Sequence, residues 1–186
     1  LPFVPGGECA GVVEAIGSDV SRWQVGDEVV QMGMVGGFAE TVVVNENSLL
    51  PKPKALTMTE AAGIGITYFT SYYALVQRAN IQQGETLLVL GAAGGVGSTA
   101  VELGKALGAH VIAAASSDDK LELCKTLGAD EVINYSTEDL KARVKEITNG
   151  RGVDVVYDPV GGDFSEIALR SMAWQGRFLV IGFANG

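Results

Sequence analysis

One histidine, His110, and two cysteines, Cys9 and Cys124, leave this 186-residue sequence poorly equipped for a metal cluster or a disulfide framework. The cysteines are far apart and show no metal-ligand spacing, which fits a reducing compartment. Cys124, in Leu121-Glu122-Leu123-Cys124, reads as a small packing residue, with a reactive thiol as the alternative. Basic residues are also scarce, 13 against 22 acidic, for a net charge of −9. That balance argues against a broad nucleic-acid-binding face. No apolar run of about 18 residues escapes interruption by charge or glycine, so no membrane span is expected.

Small and apolar residues are abundant instead. Hydrophobic residues make up 47% of the chain, enough for a sizeable core, and 25 glycines imply many tight turns and close backbone approaches. The length suits one large domain, or one domain and part of another. Residues 11–16, 27–31 and 38–44 are short Val-rich runs bounded by turn residues, and read as strands. Pro51 and Pro53 mark a linker-like stretch, and 59–80 carries helical spacing through Ile66, Phe69, Tyr73 and Val76. Beyond residue 85 the pattern alternates. Strands are expected at 86–90, 110–115, 131–134, 153–158 and 177–182, and helices at 95–107, 118–127, 138–148 and 163–173. Asp118, and Ser136 or Thr137, are candidate caps. Such β-α alternation implies a doubly wound parallel sheet, an α/β Rossmann-like fold.

The sharpest motif is Gly91-Ala92-Ala93-Gly94-Gly95-Val96-Gly97, between an apolar strand and a helix. Small residues there bring bare backbone close to a dinucleotide diphosphate, and the first helix amides point at the anion. Ala92 stands where the Gly-x-Gly-x-x-Gly pattern has its first glycine, which is tolerable at negative φ. At the end of the second strand, where NAD sites usually place an acidic residue, the chain has Ser116 and Ser117, then Asp118, Asp119 and Lys120. Two hydroxyls and an ammonium suit the 2′-phosphate of NADP, whereas a carboxylate would repel it. Asp118 and Asp119 either turn toward that site or simply favour a helix N-terminus. Lys120 has a solvated helix position as its alternative.

Ordered along the chain, Pro5-Gly6-Gly7-Glu8-Cys9-Ala10-Gly11-Val12-Val13, Val25-Gly26-Asp27-Glu28-Val29, Gly36-Gly37-Phe38-Ala39-Glu40, the glycine motif, Leu127-Gly128-Ala129-Asp130-Glu131-Val132-Ile133-Asn134-Tyr135 and residues 152–162 resemble a medium-chain dehydrogenase/reductase. The resemblance is to the zinc-free quinone oxidoreductase, zeta-crystallin-like branch. It implies part of a β-rich GroES-like substrate domain over 1–62 and a dinucleotide-binding domain over 63–186. It also implies that the chain is an internal piece of a longer protein, with substrate-domain residues before Leu1 and a last sheet strand after Gly186.

Carried over by position, Gly94, Gly95 and Val96 approach the diphosphate of NADP(H), and Ser116, Ser117, Lys120 and Tyr135 surround the 2′-phosphate. Tyr135 has a half-buried aromatic after a strand as its alternative. Thr67, Val160, Ile181, Gly182, Phe183 and Ala184 border the nicotinamide. Zinc-dependent relatives carry ligands at positions that here hold Gly7 and Ile66, and His110 is not expected to act in catalysis. No catalytic residue is identified; Glu8 is either a cleft residue or half of a buried ion pair. The implied activity is NADPH-dependent reduction of a quinone or α,β-unsaturated carbonyl, in a cytoplasmic protein that is a homodimer at full length. A nucleotide-binding or crystallin-like protein without turnover, and an enoyl-thioester reductase, are the alternatives.

Overall fold

The computed structural model describes residues 2–185. They form two compact units, Leu1–Phe69 and Thr70–Gly186.

In the first unit, β1 (Glu8–Val12), β2 (Glu28–Met32) and β3 (Leu49–Pro51) make an antiparallel sheet in that order. Val29 and Val30 of β2 are both buried although successive strand residues point to opposite faces, so the central strand is covered on both sides. The turn before β3 is held by Glu46, whose Oε2 accepts from the Ser21 and Arg22 amides, each at 3.1 Å. Its carbonyl accepts from Trp23 Nε1 at 3.0 Å. The strand expected at 38–44 does not form. Backbone pairing reaches only Phe38, whose amide donates to the Pro5 carbonyl at 3.0 Å. Residues 39–44 instead line a cavity of about 600 Å³ together with residues of β1, and Val43 is 98% exposed. Val-rich composition favours a strand only where a backbone partner is present.

The helix expected over 59–80 is broken into pieces. Thr57 and Glu60 form a reciprocal capping box that starts α1 (Met58–Ala62), and Gly63 ends it. Then α2 (Gly65–Tyr72) passes into a π-helical turn over Tyr73–Arg78. Glycine is required at 65, because a Cβ there would lie 2.8 Å from Met32 Sδ and 2.9 Å from Glu8 Oε2.

The second unit is a five-stranded parallel sheet, ordered β6-β5-β4-β7-β8. The strands are β4 (Thr86–Leu90), β5 (His110–Ala115), β6 (Glu131–Asn134), β7 (Val153–Asp158) and β8 (Met172–Val180). The helices α3 (Gly95–Ala106), α4 (Asp118–Thr126), α5 (Leu140–Ile147) and α6 (Asp163–Leu169) alternate with them. Every residue of β4 is buried, as a central parallel strand covered on both faces demands. Leu87, Val89, Val111 and Ala113 pack on one face with Val101 and Cys124 of α3 and α4. Leu88, Leu90, Ile112 and Ile133 pack on the other with Leu140 and Val144 of α5 and Ala168 of α6. Cys124 is therefore a packing residue, and burial pushes its thiol pKa up.

Three local expectations are corrected. β8 begins at Met172, five residues before the expected start, because a bulge follows the pairing of Met172 with Val153. Ser117, not Asp118, is the N-cap of α4. Asp139, not Ser136 or Thr137, caps α5 by accepting from the Ala142 amide at 2.9 Å.

Candidate functional site

In a doubly wound sheet the ligand crevice lies outside the carboxyl ends of the strands, where strand order reverses. Here β4 and β7 flank that point. The glycine turn follows β4, and its geometry explains its composition. Gly91 takes φ +56°, and a Cβ on it would lie 2.9 Å from Val160 Cγ2. Ala92 is absent from the residues at positive φ and is fully buried, its amide donating to the Ala114 carbonyl at 3.0 Å. A Cβ on Gly97 would collide with the Gly91 carbonyl oxygen and lie 2.9 Å from Ala92 Cα. Glycine at 97 thus lets α3 seat directly against the turn.

Gly94 is the N-cap of α3, and the Ser98 amide closes the first turn onto its carbonyl at 2.8 Å. The amides of Gly95, Val96 and Gly97 precede that bond and form the donor end of the helix dipole. The turn fits a diphosphate: small, backbone-lined and free of acidic side chains over 91–97.

The residues expected around a 2′-phosphate lie near the ends of β5 and β6. Lys120 Nζ donates to Ser116 Oγ at 2.8 Å, and the Ser116 carbonyl accepts from Ser136 Oγ at 2.9 Å. Ser117 adjoins as the N-cap of α4. Asp118 is engaged elsewhere, its Oδ1 accepting from Asn134 Nδ2 at 2.7 Å. Tyr135 follows β6 with its ring centroid 4.5 Å from that of Phe164.

At the end of β7, Asp158 is only 1% exposed and accepts from the Val160 amide at 2.8 Å and the Gly161 amide at 3.0 Å. Ser165 Oγ donates to its other oxygen. The Asp158 carbonyl accepts from the Ile181 amide at 2.8 Å and the Gly182 amide at 3.3 Å. Val160 and the run Ile181–Ala184 are thereby brought together, with Phe183 exposed. Sequence reasoning missed Asp158. A carboxylate ending a largely apolar strand, three residues before a glycine pair, was the available signal.

Thr67 belongs to the other unit, where its Oγ1 donates to the Gly63 carbonyl at 2.7 Å. Glu8 serves the backbone: its Oε2 accepts from the Ile66 amide at 2.8 Å, at the start of α2. Gly7 and Ile66 adjoin, a Cβ on Gly7 falling 3.0 Å from Ile66 Cδ1. Neither offers a lone pair to a metal, so the pair does not fit a zinc ion. Among the described residues no group of three His, Cys, Asp or Glu side chains is arranged to hold a metal. His110 lies at the opposite, amino-terminal end of β5, with Nδ1 3.7 Å from Asp130 Oδ2.

A second feature that sequence reading missed lies directly beneath the glycine turn. Ser71 Oγ is 2.8 Å from Tyr157 Oη and 2.8 Å from Thr99 Oγ1. Ser71 Oγ and Thr99 Oγ1 each lie 3.0 Å from the Val96 carbonyl oxygen. Burial raises the Tyr157 phenol pKa, against the Ser71 hydrogen bond, and keeps it a neutral donor.

Comparison with known proteins matches residues 1–54 to the alcohol dehydrogenase GroES-like domain and residues 95–186 to the zinc-binding dehydrogenase family. The quinone oxidoreductase-like protein 2 homolog of Nematostella vectensis is 42% identical over 188 residues, covering 100% of this chain and 51% of the relative. The Pseudomonas syringae quinone oxidoreductase structure superposes with a TM-score of 0.94 at 42% identity, covering 100% of this chain and 57% of that one. The Escherichia coli quinone oxidoreductase, solved in complex with NADPH, gives a TM-score of 0.94 at 36% identity over 100% and 57% of the two chains. The chain thus spans about half the length of such relatives. On these two family models, which together match most of the chain, the chain belongs to the medium-chain dehydrogenase/reductase superfamily, and it is similar to quinone oxidoreductases.

Proposed function

We propose that the chain carries the NADP(H)-holding part of a zinc-independent oxidoreductase that reduces quinones or α,β-unsaturated carbonyls. The observation that carries this reading is the pairing of an anion-ready α3 N-terminus with Ser116 and Lys120 one strand away. Asp118, the first carboxylate after Ser116, is hydrogen-bonded to Asn134. The Escherichia coli relative was solved with NADPH, which supports the same cofactor here.

In this reading Gly94, Gly95 and Val96 approach the diphosphate, which the amides of Gly95, Val96 and Gly97 take. Ser116, Ser117 and Lys120 take the 2′-phosphate, with Tyr135 beside them. Val160 and Ile181–Ala184 border the nicotinamide. NADPH, when bound, would supply a hydride from C4 of its nicotinamide, and the proton that completes reduction would come from solvent or from a side chain. Gly7 and Ile66 provide no Lewis acid, so an acceptor whose added charge delocalises, a quinone or an enone, suits the site better than a simple alcohol or ketone. The residues of the chain contribute alignment and exclusion of water.

The test is oxidation of NADPH and of NADH, followed at 340 nm, with 1,4-benzoquinone, a simple enone and an enoyl-CoA. The reading expects NADPH to be preferred and the quinone or enone to turn over fastest. Faster turnover of the enoyl-CoA would assign a thioester reductase. Tight NADPH binding without turnover of any acceptor would assign a binding protein.

A further inference from the structure

We propose that the hydroxyls of Ser71, Thr99 and Tyr157 form an ordered relay that ends on the Val96 carbonyl and positions the anion-binding turn. The relay rests on the reading of that turn as the diphosphate site. It makes Ser71, Thr99 and Tyr157 positioning residues, acting on the cofactor through the backbone.

The surroundings of these groups are apolar. Ser71 and Tyr157 are fully buried and Thr99 nearly so, in the layer that packs Leu75, Leu87, Val89 and Val101. A layer built for stability alone would carry Ala, Phe and Val at the three positions, since buried hydroxyls offset their desolvation only when fully paired. Here the pairing has a direction. Each hydroxyl has one proton. Every hydroxyl contact receives a proton when Tyr157 donates to Ser71, Ser71 to Thr99, and Thr99 to the carbonyl of Val96.

That carbonyl belongs to the same peptide unit as the Gly97 amide. Hydrogen bonds to its oxygen draw electron density along the unit and make the amide a stronger donor. Gly97 N–H is one of the three amides ahead of the first helical bond of α3. The relay also fixes the first turn of α3 to β7, through Tyr157, and to α2, through Ser71. An amide that is pre-aimed and polarised loses less freedom when it takes an anion.

The test compares Tyr157→Phe and Ser71→Ala with the unaltered protein by fluorescence titration with two ligands, NADPH and adenosine 2′-monophosphate. The second ligand carries the adenine, ribose and 2′-phosphate but no 5′-diphosphate. The expected result is a Kd for NADPH raised about 5- to 10-fold, as for loss of a charge-assisted hydrogen bond, with the affinity for adenosine 2′-monophosphate unchanged. Val101→Ala, which lowers Tm without touching a hydroxyl, is expected to leave both affinities unchanged. Unaltered NADPH affinity in both variants, or parallel loss for both ligands, would overturn the relay. If Ser71→Ala fails to fold, the near-isosteric Tyr157→Phe decides alone. Failure of the unaltered protein to bind NADPH would instead remove the functional reading, and the relay with it.

Discussion

The two ends of the parallel sheet solve opposite problems. At the amino ends of the strands, charges are paired. Arg177 grips Glu85 through two bonds of 2.8 and 2.5 Å, and its Nε donates to the Ala79 carbonyl at 3.0 Å. Arg151 grips Asp154 through bonds of 2.7 and 2.9 Å, and Asp154 also accepts from the Thr86 amide at 2.8 Å. Arg177 holds the Glu85 carboxyl below its usual range, against burial. Burial opposes the charge on Asp154, yet Arg151 and the Thr86 amide outweigh it and lower that pKa too. At the carboxyl ends, the proposed function has amides at the start of α3 and the Ser116–Lys120 pair take an anion. In that reading one end completes its electrostatics internally, and the other leaves them for a ligand to complete.

That contrast predicts that substitutions divide by end. Gly97→Ala carries the largest expected effect, because its Cβ meets backbone that cannot yield cheaply. NADPH affinity should fall on the order of 100-fold, about 2.7 kcal/mol, measured by titration. At the opposite end Glu85→Ala leaves the Arg177 guanidinium without its carboxylate. It should cost about 1–3 kcal/mol in urea unfolding while leaving NADPH affinity unchanged. Lys120→Ala should weaken NADPH about 10-fold, or 1.4 kcal/mol, with little change for NADH and none in stability. Equal losses for both nucleotides would take Lys120 out of the 2′-phosphate group.

Acid gives the smallest and most gradual effect. Glu85 and Asp154 have lower pKa values folded than unfolded, so their stabilisation is fully present above about pH 4, the unfolded carboxylate range. It is lost as pH falls through the folded values. Urea midpoints measured from pH 6 down to pH 3 should therefore decline, and Glu85→Ala should flatten that decline.

The Rossmann half of the molecule was largely legible because buried parallel strands are continuous apolar runs. The bounds 86–90, 110–115, 131–134 and 153–158 coincide with β4 to β7. The glycine motif was equally plain, since turn, strand and helix leave their marks within one short window. What the sequence concealed was tertiary. The run at 38–44 has strand composition but no ladder beyond Phe38. The helical spacing over 59–80 gave no sign that Glu8, far away in sequence, would take the Ile66 amide and start α2 afresh. Ser71 and Tyr157 are 86 residues apart, and nothing local to either announces a hydrogen bond. Asp118 read as a helix cap because its real partner, Asn134, sits at the end of β6.

The most direct measurement is an NMR titration of the backbone amides with NADPH. The amides of Gly95, Val96 and Gly97 should move most, with those of Ser116 and Ser117 next, while Thr86 and Val153 at the amino ends stay still. Saturating NADPH that leaves the Gly95–Gly97 amides unmoved would contradict the account.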